Sequence, residues 1–303
     1  MIGGVTPEVL TVGRVSVDLY PEQIGVPLAE VRTFRKMLGG SPTNVAVAAA
    51  RLGRRSAVIT KVGTDGFGDY VRAALEEFGV DASFVGTDET LRTPLAFCEL
   101  HPPDNFPLLF YREPTAPDLQ LTDADFAAAA VEDVPLLWMT GTGLSQEPSR
   151  SATLAALRRR GRRAHTVFDL DYRPMLWSDD AAPFYREAAS YATVLVGNRE
   201  EWAVLGEAPT GIDVAIEKLG PDGVRGARGG ETVVVPPIEV DVVNGLGAGD
   251  AFGGALCHGL LAGWELERML RFANAAGALV ASRLGCADEM PTLAEVEGLL
   301  CAA

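Results

Sequence analysis

Short apolar, β-branched runs alternate along the chain with Ala- and Leu-rich segments of helical period. Runs at 9–12, 56–62, 136–140, 165–170 and 193–196 predict strands. Segments 43–52, 69–78 and 149–160 predict helices, the first two stopped by Gly53 and Gly79, and another helix is expected after Asn198. The Ala-rich stretch 127–130 reads as ordinary helix. Strand and helix alternating nearly end to end predict the α/β class, with a doubly wound, mostly parallel sheet and helices on both faces. Two stretches, about 16–36 and 92–113, lack helical period and carry short alternating apolar segments. They predict strands that leave the main sheet as a small β lid inserted in a single domain spanning 1–303. The stretch from 202 to 214 is short for a full crossover helix.

Composition narrows the class. A chain of 303 residues that is 48% hydrophobic buries enough surface to fold without disulfides. Cys98, Cys257, Cys286 and Cys301 show no C-x-x-C pair, so free thiols in a reducing compartment are expected. The opening residues lack the basic-then-apolar order of a signal peptide, and no run of about 18 apolar residues occurs, so a cytoplasmic location off the membrane is expected. A net charge of -15 argues against nucleic acid and requires local donors for any anionic ligand. The one basic cluster, Arg158, Arg159, Arg160, Arg162 and Arg163, closes a predicted helix, where cations suit the negative end of the dipole.

The most informative segment is Val240-Asp241-Val242-Val243-Asn244-Gly245-Leu246-Gly247-Ala248-Gly249-Asp250-Ala251-Phe252. It reads as an apolar strand running into glycines and then a helix from 251 to about 261. Glycines allow a sharp turn that points several N–H groups at one spot, and the following helix adds free N–H groups and a positive dipole end. The product is an anion hole without a lysine, with Asp250 at its edge. An ionised carboxylate beside such a hole can accept the proton of an attacking hydroxyl. A dinucleotide loop, and with it a nicotinamide oxidoreductase, is disfavoured because Asp250 stands where G-x-G-x-x-G needs its third glycine, and a P-loop lacks its Gly-Lys. A helix N-cap without any ligand stays open for the segment taken alone. A second glycine pair, Gly39-Gly40, precedes Ser41-Pro42-Thr43-Asn44 and a helix of small residues, with Asn44 offering a donor and an acceptor to a hydroxyl.

Together, Gly39-Gly40 with Asn44 and Gly247-Ala248-Gly249-Asp250 resemble the two signatures of the ribokinase-like (PfkB) carbohydrate kinases. The likeness covers nearly the whole chain, including Gly63-Thr64-Asp65-Gly66-Phe67-Gly68, Asn198-Arg199-Glu200-Glu201 and Lys218-Leu219-Gly220-Pro221-Asp222-Gly223. The resemblance implies ATP with Mg2+ as donor and Asp250 as catalytic base. It implies that Gly247, Ala248 and Gly249 hold the transferring phosphate, and that Asp18, Gly39, Gly40 and Asn44 hold sugar hydroxyls. It further implies that Asn198 and Glu201 organise magnesium, Glu201 through water, and that Lys218, Gly220, Gly223, Asn274 and Gly277 border the nucleotide. Lids of this family pair between subunits, and an exposed lid edge wants a partner strand, so a homodimer is the implied assembly.

Within the family, segments 16–20, 106–113 and 168–177 resemble the subgroup that phosphorylates 5-dehydro-2-deoxy-D-gluconate at its 6-hydroxyl in inositol breakdown. Tyr111 and Arg112 fall in the expected lid and Arg173 follows a strand; two guanidiniums converging on a site suit a carboxylate. The competing reading pairs Arg112 with Glu113 or Glu99 and uses Arg173 to brace Asp171. A kinase for 2-keto-3-deoxygluconate, fructose or another sugar, and a catalytically silent sugar- or nucleotide-binding protein, stand as alternatives. One departure bears on cofactors. Where many relatives place an Asp and a Thr that help bind a monovalent cation, this chain has Asn244 and Leu246, poor cation ligands that put potassium activation in question.

Overall fold

The computed structural model describes residues 6–163 and 165–302. In chain order the elements begin with β1 (Val9–Val12), β2 (Ser16–Pro21), β3 (Phe34–Gly39), α1 (Ser41–Arg51), β4 (Ser56–Gly63) and α2 (Gly66–Glu77). The short strands β5 (Val80–Asp81), β6 (Val85–Asp88), β7 (Leu95–Cys98) and β8 (Leu108–Tyr111) follow, then α3 (Asp123–Ala128), β9 (Leu136–Thr140), α4 (Ser149–Arg160) and β10 (His165–Asp169). The last third holds α5 (Ala182–Tyr191), β11 (Val194–Asn198), α6 (Arg199–Leu205), β12 (Val214–Lys218), β13 (Val224–Arg228), β14 (Glu231–Val235), α7 (Ala248–Leu261), α8 (Leu266–Ala281) and α9 (Leu293–Ala302).

Ten strands form one sheet in the order β14-β13-β12-β11-β10-β9-β1-β4-β5, with β6 also on β4. All its pairings are parallel except β12–β13 and β13–β14. Strand alternation assigns the two faces. Val9, Val58, Leu136 and Trp138 pack in one core with α1, α7 and α8, while Leu10, Val12, Ile59, Leu137 and Met139 pack in another with α3, α4 and α5. Helices therefore cover both faces, as the sequence predicts. The second sheet, ordered β3-β2-β7-β8, is built from the two segments that lack helical period, with β3 running on to Gly39.

Three local expectations are corrected. Residues 240–243 form no strand: the Val243 and Asn244 N–H groups donate to the Ala281 carbonyl instead. The glycine-rich helix starts at Ala248 rather than 251, so Asp250 lies inside its first turn. The helix at 127–130 ends at Ala128, and Ala130 has a positive φ of 48°. The seven-residue α6 suffices to connect the parallel strands β11 and β12. The arginine cluster is structural: Arg160 is fully buried and donates to the Val131 and Val134 carbonyls, and Arg158, Arg159 and Arg163 meet Glu187, Glu132 and Asp133. The four cysteines are free thiols, and no helix among the described residues is long and apolar enough to cross a membrane.

One helix pair positions the chemistry. A side chain at Gly254 of α7 would start 2.3 Å from the Ala48 Cβ of α1. The alanines of α1 and the glycines of α7 thus let the two helices cross closely, which brings their N-termini side by side under the second sheet.

Candidate active site

Successive parallel strands end at one cleft. Arg14 follows β1, Asp169 closes β10 and leads to Asp171 and Arg173, Glu201 follows β11, and Lys218 closes β12. This is the carboxyl edge of an open α/β sheet, where ligands bind. Ser16, Asp18 and Tyr20 of β2 and Phe110 of β8 form the opposite wall, and the starts of α1 and α7 form the base.

Gly247 is the N-cap of α7, with φ 83°, which makes Asp250 the third helical residue. Its carboxylate accepts a hydrogen bond from the Ser41 hydroxyl at 2.7 Å and another from Asn44 Nδ2 at 2.8 Å. Both donors sit in the first turn of α1, so the close α1–α7 crossing is what assembles the pair. Burial pushes the Asp250 carboxyl above its ordinary value, and the two hydrogen bonds pull against it. Ala248 and Gly249 occupy the first two helical positions, whose N–H groups have no intrahelical acceptor. Asn44 Oδ1 is buried without a partner, an acceptor in want of a donor.

The anion hole does include a lysine, contrary to the sequence expectation. A side chain at Gly249 would begin 3.6 Å from Lys218 Nζ, so the β12 terminus delivers an ammonium to the start of α7. Lys218 Nζ also lies 3.7 Å from Asp169 Oδ1. Burial works against the ammonium, yet Asp169, Glu201, Asp250 and Asp171 outweigh it and its pKa rises. Burial drives Asp169 upward despite Lys218, and its Oδ1 has no hydrogen-bond partner.

At the other end Asp171 gathers two guanidiniums. Arg14 Nη2 lies 3.3 Å from its Oδ2 and Arg173 Nη2 3.2 Å from its Oδ1, while the Thr142 hydroxyl donates to Oδ2 at 3.0 Å. Burial opposes ionisation of Asp171, but Arg14 and then Arg173 hold its carboxyl below the usual range. The Nε atoms of both arginines are buried without partners. Asp18 accepts the Ser16 hydroxyl at 2.6 Å, and burial raises its pKa to about 6. Glycine at 39 is required there, because a side chain would begin 2.1 Å from the Asp18 carboxyl; Gly40, at φ 100°, lies against the Arg14 carbonyl.

Of the residues singled out in the sequence, Asp18, Gly40, Asn44, Arg173, Glu201, Lys218, Gly247, Gly249 and Asp250 line this cleft. Arg112 does not. It is 8% exposed and pairs at 2.5 Å with Asp118, whose other oxygen accepts the Val15 N–H, a partner different from Glu113 and Glu99. Tyr111 is 59% exposed and stands edge-on to Phe97. Asn198 forms a capping box with Glu201, which holds that carboxylate at the strand end. Gly220 and Gly223 bound the turn from β12 to β13, Asn274 Nδ2 donates to the Pro236 carbonyl, and Gly277 lets α8 approach Ala248; none of the four lines the cleft. Ser41, Arg14, Asp169 and the double pairing of Asp171 were not assigned site roles from sequence. An arginine two residues beyond the wholly buried first strand was the available signal for Arg14.

Residues 6–293 match the model of the pfkB family of carbohydrate kinases. A 5-dehydro-2-deoxygluconokinase of Geobacillus thermodenitrificans is 34% identical over 308 residues, covering 95% of this chain and 91% of the relative. One of Shouchella clausii is 32% identical, covering 97% and 95%. Among solved structures, an uncharacterized sugar kinase from Pyrococcus horikoshii in complex with ATP is 29% identical with a TM-score of 0.84, over 96% of this chain and 99% of that one. A fructokinase from Xylella fastidiosa with bound ATP is 28% identical with a TM-score of 0.86, over 98% and 99%.

Proposed function

The chain belongs to the pfkB family of carbohydrate kinases, and we propose that it transfers the terminal phosphoryl group of ATP to the 6-hydroxyl of 5-dehydro-2-deoxy-D-gluconate, with Asp250 as general base. The observation that carries this reading is the Asp250 carboxylate, held by Ser41 and Asn44 in the first turn of α7 and facing a cleft that ends in two guanidiniums. The substrate names of the curated relatives support the sugar acid.

Asp250 takes the proton of the attacking hydroxyl, and the oxygen so freed attacks the phosphorus as the bond to the leaving diphosphate breaks. The first-turn amides of α7 and the Lys218 ammonium meet the negative charge on the transferring group, so most of the rate arises from positioning and preorganised electrostatics. Asp18 and the free Oδ1 of Asn44 accept hydrogen bonds from sugar hydroxyls. Arg14 and Arg173, whose Nε groups lack partners, receive the carboxylate at the far end. The pair is thus Arg14 with Arg173, which line the cleft while also flanking Asp171, whereas Arg112 lies outside the cleft on Asp118. The unpartnered oxygen of Asp169 and the Glu201 carboxylate fit a hydrated magnesium ion, which would supply charge neutralisation to the nucleotide phosphates.

A panel of sugars and sugar acids, read by ADP release, tests the reading. The highest kcat/KM is expected for the 5-dehydro-2-deoxy acid, with 2-keto-3-deoxygluconate lower and fructose lowest. A preference for fructose would overturn the substrate, and no ADP release with any acceptor would support a silent binding protein.

A further inference from the structure

One side chain fastens the loop that carries the phosphate-binding amides. Asn244 is fully buried. Its Nδ2 donates to the Leu284 carbonyl at 2.7 Å, and its Oδ1 accepts the Leu246 N–H at 2.9 Å. Its own N–H donates to the Ala281 carbonyl at 3.1 Å. The amide can face only one way, since the Leu246 N–H only donates and the Leu284 carbonyl only accepts. Asn244 therefore ties the stretch after α8 to the turn that enters α7. Cys286, two residues beyond Leu284, presses on Gly247 itself: a side chain there would begin 2.6 Å from its Sγ.

The family resemblance implies a monovalent cation at this joint, and the residues present do not fit one. A cation needs converging oxygens. Position 244 instead turns a side-chain N–H toward the Leu284 carbonyl, and its one side-chain oxygen is already engaged. The Leu246 side chain brings no oxygen and packs against the cluster of Tyr20, Met37, Cys98, Leu100 and Cys286. We infer that Asn244 is a built-in substitute for a monovalent cation, its amide N–H bringing to the Leu284 carbonyl the positive end that an ion would otherwise bring. Asn244 is a positioning residue: it holds the glycine loop ready for nucleotide phosphates without potassium. The inference rests on the kinase reading of that loop.

The test compares KCl with choline chloride at equal ionic strength. ATP affinity is measured by calorimetry, and Tm is measured without nucleotide. For the wild type, affinities agreeing within about twofold and equal Tm values are expected. Clearly tighter binding or a higher Tm in KCl would overturn the inference. Asn244→Asp points a carboxylate oxygen at the Leu284 carbonyl and recreates an ion site. Its ATP affinity is expected to fall about tenfold in choline chloride, the scale of one lost buried hydrogen bond, and to recover in KCl. A variant indifferent to the salt would overturn the inference, and the wild-type comparison decides if the variant does not fold. Absence of ATP binding in both salts would instead remove the kinase reading, while the nucleotide-free Tm values still test the fastening.

Discussion

Replacing Ser41 by Ala removes one of the two hydrogen bonds that favour the ionised Asp250. The Ser41 hydroxyl donates to Oδ1 at 2.7 Å and Asn44 keeps hold of Oδ2. A hydrogen bond to a charged group contributes about 1.5–3 kcal/mol. At about 1.4 kcal/mol per pKa unit, its loss raises the Asp250 pKa by about 1–2 units, toward the lower end where water enters the gap. The reaction needs the carboxylate, so kcat falls as pH drops through that pKa, and in Ser41→Ala the fall begins at higher pH. The alkaline plateau stays near that of the wild type, because a base of higher pKa is no weaker. KM for both substrates stays close to the wild-type value, since the Ser41 hydroxyl is spent on Asp250. The assay is ADP release across a pH series at saturating substrates. An acid limb that does not move, with a lowered plateau, would refute the assignment of Ser41 as the group that tunes Asp250.

Two further outcomes follow from the same cleft. Arg14→Lys keeps a charge beside Asp171 but loses the planar fork, so KM for the sugar acid should rise about 10- to 100-fold while KM for a neutral sugar hardly changes; equal losses for both would remove Arg14 from carboxylate recognition. Asp18 has a folded pKa raised from 3.8 to about 6 by burial, so its contribution to stability is present at acid pH and lost as pH rises through that value, at a cost of about 3 kcal/mol. Asp18→Asn should therefore melt higher than the wild type at about pH 8 and near it at about pH 4, and a Tm unchanged across that range would contradict the burial argument.

Local periodicity made the fold legible. The strand at 136–140, a short apolar run, and the helix at 149–160, which Gly161 ends in the left-handed region, have the bounds read from the sequence, because such signals are set by near neighbours. The start of α7 was misread because its glycines look like breakers. They are in fact the faces that admit α1 at Gly254 and Lys218 at Gly249. Residues 240–243 have the apolar content of a strand, but the Val243 N–H, with that of Asn244, turns to the Ala281 carbonyl. Asp250 and Asn44 were legible because each sits at a glycine-marked helix start. Arg14 was not, since its partner Asp171 lies 157 positions away and meets it only through the order of strands in the sheet. Lys218 was named beside the nucleotide, but its place in the anion hole was not legible, because it reaches the start of α7 only through β12 ending level with β11, where Asn198 stands opposite Lys218. Arg112 shows the reverse failure: its chemistry suits a carboxylate, and the one it meets is the protein's own Asp118.

Single-turnover phosphorylation by Asp250→Asn, set beside calorimetric ATP binding by the same variant, tests the account most directly. Binding of ATP at wild-type strength with phosphoryl transfer slowed about 10²- to 10⁴-fold is the predicted result. Transfer at the wild-type rate would contradict a proton-accepting role for this carboxylate.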